Sequence, residues 1–200
     1  MAAVPAELEL TMVHADTPTL LANQAAGNSV GQVALYDHLT RRLKAAGARS
    51  VAVTSIAGHF CIENFNAVSV LPVIDLLSVV RSAVLDRGYT RVGLLGTRGV
   101  MTSQLYGALE AVEVVAPLGA DLDAVHEEYV TVASTATCTD EQRRFFFDAG
   151  RSLVVEQGAD AILMAGTDLA LAFNGFDPGY PVVDCADAHV QAILAEALRQ

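Results

Sequence analysis

Residues 91–96, RVGLLG, constrain the fold more than any other stretch of this chain. An apolar run without alternation cannot lie on a half-wet surface, so it reads as a strand buried on both faces, the mark of a parallel sheet covered by helices. Similar runs recur at 160–166 (DAILMAG), 112–117 (VEVVAP), 180–184 (YPVVD) and 50–56 (SVAVTSI), with LELTMVHA at 8–15 as a further candidate. Between them lie helix-length segments. In 29–48, Val33, Leu35, Tyr36, Leu39 and Leu43 share a face, and Gly47 stands where a C-cap belongs. Residues 75–88, 100–111, 140–159 and 186–200 read as further helices, the third capped by Thr139 or Asp140. Strands alternating with helices of this length imply βαβ units. The expected fold class is therefore α/β.

In such folds ligands sit at the carboxyl ends of strands. The residues to inspect are His14 to Thr17, Ser55 to His59, Gly96 to Gly99, and Gly166 to Asp168. The chain also echoes itself: AAGARSVAVTSIAGH (45–59) and EQGADAILMAGTD (156–168) both read helix, Gly-Ala, strand, small polar turn. Two such halves facing each other place Ser55 opposite Gly166, Thr167 and Asp168 across a cleft. The expected architecture is two pseudo-symmetric parallel-sheet lobes with the site between them. Residues 1–90 plus 183–200 form the first lobe, and 91–182 the second.

Composition narrows the function. The 200 residues are 52% hydrophobic and only 18% charged, with formal net charge −11. So acidic a surface repels phosphate backbones and anionic lipid, which argues against nucleic acid and membranes as partners. A small anionic substrate stays compatible with it, because local N–H groups outweigh a distant net charge. No apolar run reaches the ~18 residues of a membrane span, and no signal peptide is visible. Cys61, Cys138 and Cys185 are few and scattered, which reads as reduced thiols in a cytoplasm and suggests no metal site. No G-x-G-x-x-G or Walker pattern supports a nucleotide-binding protein.

Four stretches resemble the aspartate/glutamate racemase family, which includes hydantoin racemases and related decarboxylases and isomerases. LLGTRGVMTSQLY (94–106) is similar to the family's strand–loop–helix, and GADAILMAGTDLAL (158–171) to its GCTE segment. PVVDCADAHVQAIL (181–194) is similar to its ending, and VAVTSIAGHF (51–60) to the segment that commonly reads CNTAH or TNTMH. The resemblance implies proton transfer on a small carboxylate or carbonyl compound without a cofactor, and a possible homodimer. Family racemases oppose two thiols across one carbon. Here the first thiol position holds Ser55 and the second Gly166, so the standard two-thiol reaction is not expected. The family usually begins with an extra strand and a Gly/Ser-rich loop. This chain starts close to the strand that should come second, which leaves carboxylate binding on that side unassigned.

The expected function is an isomerase or lyase of this family. The alternative is a catalytically inactive member that binds a small acid or a partner protein. Ser55, His59 and His14 are the candidate catalytic residues; an unassisted serine is too weak a base, whereas histidine changes charge near neutral pH. Thr54, Thr97, Arg98, Gly99, Met101, Gly166, Thr167, Asp168 and His189 are the candidate substrate-binding residues. Arg98 reads either as an anion clamp or as a loop brace. His189 reads either as a hydrogen-bond partner of the 166–168 turn or as a surface residue. Cys61, one turn into the helix expected after Gly58, should face the core.

Overall fold

A computed structural model describes residues 9–199. Four parallel strands form one sheet: β1 (Arg91–Gly96), β2 (Glu113–Val115), β3 (Ala161–Ala165) and β4 (Val182–Asp184), in the order β2-β1-β3-β4. β1 and β3 run side by side at its centre, with Leu94 opposite Leu163 and Gly96 opposite Ala165. Both are apolar along their length because both faces are covered. Val92 and Leu94 of β1 join Leu163 and Ala165 of β3 in one core. Leu95 joins Ile162 and Met164 in the other, on the opposite face.

Nine helices surround the sheet among the described residues: α1 (Thr17–Ala25), α2 (Ser29–Ala45), α3 (Ile62–Val68), α4 (Leu76–Asp86), α5 (Arg98–Thr102), α6 (Gly119–Thr135), α7 (Asp140–Val155), α8 (Ala170–Phe173) and α9 (Cys185–Arg199). The first core gathers Leu20 of α1, Tyr36 and Leu43 of α2, Phe65 of α3, and Val80 and Val84 of α4. The second gathers Val125 and Tyr129 of α6 with Phe146 and Leu153 of α7. The Phe145–Phe147 run divides as its helical spacing requires: Phe146 is fully buried, and Phe147 stacks on Phe173 with ring centroids 4.9 Å apart. None of these helices is long and apolar enough to cross a membrane.

Two expected strands do not form. Residues 9–15 carry no regular structure, Leu8 lying outside the described residues, and Leu10 and Met12 are exposed. The 50–56 segment makes a single parallel bridge, Val51 with Val73. Val51 N–H donates to Pro72 O and Val51 O accepts from Ile74 N–H, and among the described residues the pairing goes no further along 52–56. The helix expected over 100–111 also breaks. α5 ends at Thr102, and Gln104, Leu105 and Tyr106 all take positive φ, from 51° to 59°. Three consecutive non-glycine residues in that region hold only where tertiary contacts fix them. Helices α1, α6 and α8 lie outside the helices that the pattern predicts, whereas α3 continues the helical stretch expected after Gly58.

Candidate active site

Two turns repeat one design. After the Val51 bridge, Ser55 O accepts Gly58 N–H at 3.1 Å and a 3₁₀ turn runs over Ala57–Cys61. After β3, Gly166 O accepts Leu169 N–H, also at 3.1 Å, and a 3₁₀ turn runs over Thr167–Leu169. The echo in the sequence is thus an echo in backbone hydrogen bonding.

His59 is the most constrained group of the first turn. It is 1% exposed, and its Nδ1 lies 2.8 Å from Ser55 O. A carbonyl only accepts, so Nδ1 carries the proton and Nε2 presents a lone pair. That Nε2 is buried without a hydrogen-bond partner. Burial pushes the His59 pKa down to about 4, outweighing the opposing pull of the Ser55 bond and of Asp75. The imidazole is therefore neutral at physiological pH. His189, near the start of α9, packs against it with ring centroids 6.1 Å apart. His189 neither reaches the 166–168 turn nor lies on the surface. It is buried, and its Nε2–H donates to Ile74 O at 2.7 Å, tying α9 to the start of α4. Burial lowers its pKa as well.

The turn after β1 lies next to the turn after β3. A Cβ added at Gly96 would come within 2.5 Å of Ala165 O, so only glycine lets the two strand ends approach this closely. Thr97 caps α5 through its side chain, which accepts from Val100 N–H at 3.4 Å. The Arg98 guanidinium pairs with Asp123 of α6, and its backbone N–H donates to His126 Nδ1 at 3.3 Å. Gly99 is exposed and lies against the Gln24 side chain. Met101 is buried in the core with Leu95 and Leu122.

The broken helix brings a residue to the first turn that the sequence reading did not select. Tyr106 O–H donates to Ala57 O at 3.2 Å. The Gln24 amide of α1 donates to Tyr106 Oη at 2.8 Å and to Ala57 O at 3.1 Å. Tyr106 and Gln24 thus join the Ser55–His59 turn to the segment after β1. Tyr106 lay within the family-like stretch 94–106, which was its available signal; Gln24 had none.

At the second turn, the position without a side chain is not vacant space. A Cβ on Gly166 would run into the Tyr129 ring, 2.7 Å from Cζ and 3.0 Å from the hydroxyl. Tyr129 O–H donates to Asp168 Oδ2 at 3.1 Å, and Thr167 O–H donates to the same oxygen at 3.3 Å. Tyr129 is 8% exposed, and burial with the nearby Asp168 charge pushes its pKa up to about 12.

Other expected residues lie apart from these contacts. His14 is exposed in the irregular segment before α1, and Asp16 serves as the α1 N-cap, accepting Thr19 N–H at 3.0 Å. Thr54 is exposed and Ser55 half-buried. Cys61 faces the core, its sulfur 3.9 Å from Gly58 O, and burial pushes its pKa up to about 11; a thiol so disposed is not a poised nucleophile. Cys185 is fully buried. Two hollows lie elsewhere. One, of about 680 Å³, lies between α4, α9 and β4, and one of about 390 Å³ lies under the 173–180 segment.

The fold and the two turns define a parallel α/β protein whose polar residues gather in paired turns, one after the Val51–Val73 bridge and one after β3. The sequence profile of the Asp/Glu/hydantoin racemases matches residues 2–193, and the chain belongs to that family. Among solved structures, an aspartate racemase homologue from Pyrococcus horikoshii superposes with a TM-score of 0.82 at 21% identity, over 95% of this chain and 84% of its own. A candidate Asp/Glu racemase from Yersinia pestis gives 0.80 at 24% identity, over 92% and 81%. The Picrophilus torridus aspartate racemase gives 0.67 at 20%, over 82% and 69%. At these identities the likeness is one of fold. Comparison with curated proteins gives no match.

Proposed function

We propose that this chain is an isomerase-type member of the racemase family that moves a proton at the carbon beside a carboxylate or carbonyl of a small substrate, without a cofactor. The observation that carries the reading is His59. It is neutral, its tautomer is set by Ser55 O, and its Nε2 lone pair has no partner in a buried setting. A base must be unprotonated and held at its substrate to work. In this role His59 takes the proton, the electron pair passes into the substrate's carboxyl or carbonyl group, and Ser55 supplies a hydroxyl to the bound molecule. Thr167 and the neighbouring backbone N–H groups bind it from the second turn. A lyase would use the same base with a different leaving group.

The test is exchange of the α-hydrogen for deuterium, followed by NMR on aspartate, glutamate and 5-methylhydantoin in D₂O. The wild-type protein is expected to exchange at least one of them, and His59→Ala to lower that rate at least 100-fold. An unchanged rate in His59→Ala removes His59 from the chemistry.

A second reading is a non-catalytic binder of small acids. It is favoured by the Tyr129 ring, which fills the room of the second thiol. It expects small dicarboxylates to raise the melting temperature while no probe is exchanged.

A further inference from the structure

We propose that Tyr129 is the second proton-transfer group of the site, acting from the face opposite His59 with Asp168 as its proton partner. The inference rests on the proton-transfer reading above and assigns a residue that the sequence pattern did not suggest. Two-sided proton transfer needs an acid/base group on each face of the reacting carbon. The second turn has no side chain at Gly166, yet the space beside it is occupied. The Tyr129 hydroxyl stands 3.0 Å from where a Cβ at 166 would be. A side chain at 166 and the Tyr129 ring exclude each other, so the glycine and the tyrosine form a matched pair across β3 and α6. The hydroxyl is also engaged in a directed bond, 3.1 Å to Asp168 Oδ2, with Thr167 Oγ1 fixing that same carboxylate oxygen.

This arrangement moves a proton without forming a free phenolate, which burial disfavours. When the substrate's C–H bond breaks, its electron pair stays on the substrate and is held by the adjacent carboxyl group. The released proton goes to the Tyr129 oxygen while the hydroxyl's own proton passes to Asp168 Oδ2. Tyr129 remains neutral and Asp168 ends protonated. Delivery is the reverse: Asp168 returns its proton to the Tyr129 oxygen as the hydroxyl protonates the carbon. Every proton is accounted for and no co-reactant is needed.

The test separates exchange from inversion. Each enantiomer of aspartate, glutamate and 5-methylhydantoin is incubated in D₂O with wild type, Tyr129→Phe, Asp168→Asn and Gly166→Ala. α-Deuteration is read by NMR and inversion by chiral chromatography. Tyr129→Phe keeps the ring and removes the hydroxyl. It is expected to lower inversion at least 100-fold, while deuterium still enters the enantiomer whose hydrogen faces His59. A purely structural role of the hydroxyl lowers both rates together, and that result overturns the proposal, as does wild-type inversion in Tyr129→Phe. Should Tyr129→Phe fail to fold, Asp168→Asn carries the same expectation and the same refutation. Gly166→Ala, which displaces the ring, should show the split as well. A wild-type protein that exchanges none of the probes overturns the proton-transfer reading and this proposal with it. Exchange and inversion that survive in Tyr129→Phe overturn this proposal alone.

Discussion

At the scale of single residues, His59 couples the candidate chemistry to stability. Its pKa falls from an ordinary 6.5 to about 4 on folding, with burial as the main cause. Above pH 6.5 both folded and unfolded chains hold the imidazole neutral, and the group contributes nothing pH-dependent. Below 6.5 the unfolded chain takes up a proton that the folded chain refuses until about pH 4. Stability is therefore lost across that window, by roughly 3 kcal/mol at most. His189, depressed for the same reason, adds to the loss. Urea unfolding between pH 7 and 4 should show this fall in wild type and a shallower one in His59→Gln. Parallel curves would mean that His59 titrates normally. The sequence singles out His59 because it follows an expected strand end. Its orphaned nitrogen was not legible there, because that depends on which neighbours packing brings near.

Elements differ in how far their own residues decide them. Helix α7 carries its start signal locally. Thr139 accepts Gln142 N–H at 3.2 Å, and the Gln142 side chain accepts Thr139 N–H at 3.0 Å, a reciprocal capping box. Thr139→Ala should lower stability by about 1 kcal/mol in thermal or urea unfolding, and Thr139→Asp by much less. A start so signalled was readable from sequence. The break after α5 was not. Nothing in MTSQLYG forbids a helix, and the chain leaves helical geometry where Tyr106 reaches Ala57 O, 49 positions earlier. The strand expected at 50–56 is likewise reduced to one bridge, Val51 with Val73: its own residues favour extension, but a strand needs a partner edge, and residues 72–74 supply one only there. Tyr129 shows the same limit: its meaning lies in its contact with Gly166, 37 positions later, and no local pattern on α6 announces it.

For the whole molecule, the net charge of −11 sets a self-repulsion that five side-chain ion pairs among the described residues do little to offset. Raising NaCl from 20 mM to 0.5 M screens that repulsion. It should raise the melting temperature by ~2–4 °C, about 1 kcal/mol for a chain of this size. A fall would mean that the ion pairs outweigh the repulsion. By itself the sequence determined the α/β class, the central strands β1 and β3 and the turns where polar residues gather, because periodicity and strand-end chemistry are properties of neighbours along the chain. Only the tertiary structure decided that His59 would lack a partner, that Arg98 would turn to Asp123, and that a tyrosine would fill the space beside Gly166. Those outcomes depend on which distant side chains are pressed together when both faces of the sheet are covered, and close packing leaves room for only one occupant at each place.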